Sequence, residues 1–122
     1  MVAYNFQKQF VDLIERGIKT QTIRQTARAK PGDALQLYVD QRTKNCKKIT
    51  DAVCTATYPV KIHKDRVEFM TGQCHSLRDP DDLARFAKAD GFVGYMEMAD
   101  FFREKYGSLP FEGFVIYWRI KE

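Results

Sequence analysis

The stretch GIKTQTIRQ, residues 17 to 25, crowds a lysine, two threonines and an arginine directly behind a helix-like segment. A threonine hydroxyl is a poor nucleophile near neutral pH, but a lysine amine desolvated enough to be neutral can accept its proton. In a straight strand Thr20, Thr22 and Arg24 share one face and Lys19 points to the other. Lys19 therefore reaches Thr22 only if the chain bends just after the helix. Such a pair needs a carboxylate to orient it or to carry a proton to a leaving nitrogen. Asp90 is the candidate acid, and its plain reading is a polar helix-terminal residue before Gly91. Three readings of the stretch stay open on the residues alone: a nucleophile with its base, a grip on an anion by Lys19 and Arg24, and a solvated turn.

A second group of charges, Arg42, Lys44, Lys47 and Lys48, lies in a basic loop and can serve either as phosphate contacts or as solvated surface. Tyr38, Phe92, Tyr95, Tyr117 and Trp118 offer faces on which a base could stack, although aromatics at alternating or helical spacing chiefly build cores. His63 and His75 lack the HExxH spacing, and Cys46, Cys54 and Cys74 make neither a CxxC pair nor an even set for disulfides. No GxGxxG, GxxxxGK[ST] or GxSxG occurs, which removes support for dinucleotide, P-loop and common serine-hydrolase sites.

The elements that must position these residues follow from periodicity. Between Gln7 and Arg16, Phe10, Leu13 and Ile14 recur at helical spacing, and Gly17 supplies the left-handed exit. KTQTIR should then be extended. KPGD at residues 30 to 33 predicts a turn, and ALQLYV a strand with Leu35, Leu37 and Val39 inward. Residues 42 to 64 begin as the basic loop and continue as one or two strands, with Pro59 at an edge, bulge or strand end. RDPDDLARFAKADGF predicts a helix capped by Asp79, with Pro80 at its first position and Leu83, Phe86 and Ala87 inward. MEMADFFREKYG is a second helical segment, packing Met98, Phe101 and Phe102 and ending at Gly107. FEGFVIYWRIK is a closing strand that sets Phe114, Ile116, Trp118 and Ile120 against Val115, Tyr117 and Arg119.

With 122 residues and no repeat or linker, the chain is expected to form one domain, 1–122. The element order predicts an α+β class, a small mixed β-barrel with flanking short helices. No apolar run approaches the ~18 residues a membrane span needs, and no basic-then-apolar leader opens the chain, so a cytoplasmic location is expected. The net charge of +4 and pI near 9.0 allow weak attraction to polyanions without naming one.

GIKTQTIR, followed by KPGDALQLYV, RTKNCKKI and the closing FEGFVIYW, resembles the ASCH domain family over nearly the whole chain. That family shares the β-barrel of the pseudouridine-synthase and archaeosine-transglycosylase (PUA) RNA-binding domains. Its members are associated with RNA or modified nucleotides, and some small ones are N4-acetylcytidine amidohydrolases. The resemblance implies Lys19 and Thr22 as the catalytic pair of a G-x-K-T-x-T-I-R motif. The family's later glutamate, in A-x-x-E, is matched by Asp90 in AKAD, one methylene shorter; Glu97 and Asp100 are the alternatives. It further implies an acylated cytidine as substrate, Arg24, Tyr38 and Phe92 as substrate contacts, and no metal or organic cofactor. RNA binding through Arg42, Lys44, Lys47 and Lys48 without this chemistry, or RNA cleavage, are the alternatives. The oligomeric state is left open.

Overall fold

In the computed structural model, which describes residues 1–121, seven strands form one curled, half-barrel sheet with three short helices. The chain opens with β1 (Val2–Phe6), parallel to β3 (Ala34–Val39) in the register Val2 with Leu35 through Phe6 with Val39. A parallel pair cannot be joined by a tight turn. The intervening crossover holds the GIKTQTIRQ stretch.

That crossover begins as a 3-10 turn, Lys8–Phe10, running into α1 (Val11–Glu15), so the expected helix is realised in two pieces that bury Phe10 and Ile14. Gly17 has φ +74, the left-handed exit its missing Cβ allows, and the amides of Ile18 and Lys19 both donate to the Leu13 carbonyl. The chain thus bends before β2 (Gln21–Arg24), which pairs antiparallel with β7 (Phe111–Ile120).

Residues 42 to 64 contain a single strand, β4 (Lys47–Ile62), sixteen residues long. One side pairs with β7 from Ala52 to Ile62; the other pairs first with β3 and then, from Val60, with β5 (Val67–Phe69). Pro59 lies inside this strand, just before β5 pairing begins. Its carbonyl accepts from the Met70 amide at 2.9 Å, so its missing N–H faces the side where pairing is incomplete. β5 and β6 (His75–Leu77) complete that end of the sheet.

α2 (Pro80–Ala89) has the expected anatomy: the Asp79 carboxylate accepts from the Asp81 and Asp82 amides, Pro80 opens the helix, and Leu83, Phe86 and Ala87 are buried. α3 (Tyr95–Tyr106) buries Met98, Ala99 and Phe102 and stops at Gly107, φ +91. β7 departs from simple alternation, since Val115 and Ile116 are both fully buried. It lies between β2 and β4, and its pairing with β4 shifts register at Cys54/Ala56.

Among the described residues, no helix is long and apolar enough to cross a membrane. His63 pairs with Glu68 at 3.0 Å and His75 stacks on Phe69, while Cys54 sits in the core and Cys46 and Cys74 are exposed.

Candidate active site

The bend after Gly17 decides where Lys19 goes. Its backbone is held from both sides, by the Leu13 carbonyl at the end of α1 and, through the Thr20 amide, by the Ala89 carbonyl at the end of α2 at 2.8 Å. The side chain turns inward, so Lys19, Thr22 and Asp90 are 3%, 5% and 2% exposed and line one cavity. The chain thus bends where the sequence required it to, and Lys19 and Thr22 line the same cavity.

Asp90 is the C-terminal cap of α2, its amide donating to the Phe86 and Ala87 carbonyls. The Lys19 ammonium donates to the Asp90 main-chain carbonyl at 2.5 Å and lies 3.6 Å from its carboxylate Oδ1. A cation there meets the negative end of the helix as well as the acid. The ammonium also sits over the Phe10 ring, 4.7 Å from its centre, with Phe6 at 5.6 Å.

This approach requires a glycine next door. Gly91 has φ +97, and a Cβ there would lie 2.8 Å from Phe10 Cδ1 and 3.0 Å from Lys19 Cδ. An ordinary side chain would push the lysine and the aromatic wall out of place.

Burial makes both charges costly. Desolvation pulls the Lys19 amine down to about 8 against the opposing pull of Asp90, with Arg24 adding like-charge repulsion. Desolvation pushes the Asp90 carboxyl up to about 6 although Lys19 and the neighbouring Gln21 amide favour its ionised form. Asp90 Oδ1 is buried without a hydrogen-bond partner among the described residues, as is the Gln21 amide nitrogen.

Thr22 and Arg24 share a face of β2, as period-two geometry requires. Arg24 Nε donates to Thr22 Oγ1 at 3.1 Å, and its Nη2 donates to the Asn5 carbonyl of β1 at 2.8 Å. The guanidinium is clamped over Phe6 and Tyr4, at 4.9 and 5.1 Å. With one lone pair of Oγ1 engaged, the hydroxyl proton is free to be given to a base in the cavity.

Phe92 lines this cavity, but Tyr38 does not: its hydroxyl donates to Gln36 Oε1 at 2.8 Å on β3. Tyr38 is thus set aside as a contact here, because its side chain lies along β3 instead of toward the crossover. Glu97 and Asp100 lie in a separate shallow groove on α3, so Asp90 is the acid at Lys19 among the described residues. Tyr95 spends its hydroxyl on the His63 and Arg66 carbonyls.

Arg42, Lys44, Lys47 and Lys48 are all exposed, and Lys48 is paired with Asp51 at 3.2 Å. None of the four lines the Lys19 cavity.

Sequence reasoning missed Asn5, Gln7, Phe6, Phe10, Phe101 and Lys105 as parts of the site. Phe10 was legible as inward-facing, but nothing in its spacing tied it to Lys19. Lys105, over the Phe101 ring at 5.6 Å, has its amine lowered by burial and by Arg24.

The cavity is small, about 50 Å³, which is room for roughly three or four atoms of water size. That is less room than an aromatic base needs, and enough for a two-carbon group. Comparison with protein-family models, curated proteins and solved structures finds no match to this chain.

Proposed function

We propose that this chain is a metal-independent amidohydrolase that cleaves the N4-acyl amide of an acylated cytidine, and that it is an ASCH-type domain whose half-barrel corresponds to the PUA-like barrel. The observation that carries the reading is the buried Lys19–Asp90 pair in a cavity shared with the Thr22 hydroxyl.

The acyl carbonyl enters the cavity while the cytosine ring stays at the mouth, against Phe92 and Phe101. Neutral Lys19 accepts the Thr22 proton as Oγ1 attacks the carbonyl carbon. Arg24, already touching Oγ1, stabilises the negative charge that develops on the oxygens. The tetrahedral intermediate collapses by breaking the C–N4 bond, and N4 leaves with a proton passed from Lys19 or from Asp90. The product is cytidine and an acyl ester on Thr22. Water, deprotonated by the same groups, then attacks the ester, releasing a carboxylate and restoring the hydroxyl.

Asp90 supports this role because its Oδ1, held by the Lys19 ion pair, makes no hydrogen bond among the described residues, so it can meet the N4 proton without breaking one. The missing methylene relative to the family glutamate is offset by its place: the helix end delivers it directly to Lys19.

The test is a chromatographic time course with N4-acetylcytidine and purified wild type, Lys19→Met and Thr22→Val. Cytidine should form with wild type and fall by at least about a hundredfold in each variant. Thr22→Val keeps the shape, so retained turnover with a native circular dichroism spectrum would remove Thr22 as nucleophile. No cytidine from folded wild type would displace the hydrolase in favour of an RNA or modified-base binder.

A further inference from the structure

A second depression, of about 290 Å³, adjoins the Lys19 cavity and shares Arg24 and Asn5 with it. Its other charged walls are Arg28, from the loop after β2, and Arg42, from the turn between β3 and β4; no acidic residue lines it among the described residues. Arg28 Nη2 donates to the Ala3 carbonyl at 3.1 Å, which fixes the guanidinium and leaves its other N–H groups free. Arg24, Arg28 and Arg42 form no ion pair with any described carboxylate. The turn that carries Arg42 is fastened to β1, since the Gln41 amide donates to Asn5 Oδ1 at 2.8 Å.

We propose that this depression is a phosphate subsite continuous with the Lys19 cavity, so that the acylated substrate is a nucleoside monophosphate and not a free nucleoside. The inference rests on the amidohydrolase reading for the identity of the base, but not for the phosphate. Planar guanidinium groups match phosphate oxygens in pairs of parallel hydrogen bonds, and three arginines line this one depression. A phosphomonoester concentrates a charge of about −1.5 to −2 on one group, which suits a cluster. A nucleic-acid chain spreads one charge per nucleotide and asks for a stripe. The remaining basic residues do not extend the cluster, since neither Lys44, Lys47 nor Lys48 lines the depression. Arg24 joins the two sites: one edge of its guanidinium touches the nucleophile while its body walls the phosphate pocket.

The test is calorimetric titration of wild type, Arg28→Gln and Arg42→Gln with cytidine, cytidine 5′-monophosphate and the dinucleotide cytidylyl-cytidine. Turnover of N4-acetylcytidine and of its 5′-monophosphate is followed in parallel. The monophosphate should bind wild type about tenfold or more tightly than cytidine, and either substitution should bring that ratio toward one. Equal binding of cytidine and its monophosphate, no binding by any ligand, or a ratio that survives both substitutions overturns the subsite. So does a dinucleotide that outbinds the monophosphate, which would instead mark an RNA-binding groove. An intact ratio without turnover upholds the subsite and sinks the hydrolase; turnover without a ratio does the reverse. Both arginines are exposed, so the substitutions should leave the circular dichroism spectrum unchanged.

Discussion

Lys19 Nζ lies 3.6 Å from Asp90 Oδ1 with both side chains shut away from solvent, so two opposite charges share a pocket too dry to hold either cheaply. The amine falls to about 8 and the carboxyl rises to about 6, leaving an ion pair at neutral pH whose lysine is within reach of deprotonation.

If neutral Lys19 is the base, kcat/KM should rise with pH along a limb centred near 8 and flatten above it. A pH profile with N4-acetylcytidine reads this directly. A flat profile from pH 6 to 9 would exclude the lysine as the group that takes the Thr22 proton.

The same pair should leave a dip in stability. The folded Lys19 value lies below the usual 10.5, so between about 8 and 10.5 the unfolded chain binds more protons and stability rises with pH. The folded Asp90 value lies above the usual 3.8, so between 3.8 and about 6 the folded chain binds more protons and stability falls as pH rises. Both penalties are in force between about 6 and 8. Relative to wild type, Lys19→Met/Asp90→Asn should therefore gain most in that window, on the order of 1–4 kcal/mol, while losing activity. Denaturant melts of the two proteins across pH give the difference; a gain that grows toward pH 10 would contradict it.

Gly91→Ala should be costly for two reasons at once, since a Cβ there collides with Phe10 and Lys19 and the backbone has φ +97. A loss of about 1–3 kcal/mol in urea unfolding is expected, with a fall in turnover from the displaced lysine. Gly17→Ala is the control, because its φ is +74 but nothing lies within 4 Å of the added carbon. It should cost less, and an equal loss in both variants would mean that backbone strain alone is at work.

The cavity's 50 Å³ leaves no room for a long acyl chain. N4-acetylcytidine should be cleaved faster than the N4-hexanoyl analogue by about tenfold or more in kcat/KM. Equal rates would mean that the chain lies outside and the cavity holds some other part of the substrate.

What could be read from the chain was local. Asp79, Pro80 and the spacing of Leu83, Phe86 and Ala87 specify α2 within a dozen residues, and the structure follows them. β5 and β6 are three residues each, too short for any period to register. β1 carried an alternation of Val2, Tyr4 and Phe6, but its parallel partner lies some thirty residues away, and a parallel pair has no tight turn joining its strands to announce it. The candidate site divides in the same way. Thr22 and Arg24 share a strand face, so period two finds them together; Lys19 joins them only because two helix ends clamp the bend. Tyr38 was misplaced because which way β3 faces depends on where the crossover lands. Phe6, Phe10 and Lys105 reach the cavity from three separate elements, and no spacing in the sequence links them.

β1 and β2 pair on one side only, and Arg28 and Arg24 reach across to the Ala3 and Asn5 carbonyls on the open side of β1. A strand with bare carbonyls is a template on which a foreign extended chain can grow. Here the acceptors at Ala3 and Asn5 are already taken by the Arg28 and Arg24 guanidinium groups, which an incoming peptide backbone would have to displace. The protein should therefore resist stitching to its own copies along this line, while a small anion can still be welcomed there: the guard against aggregation and the lure for ligand are the same two arginines.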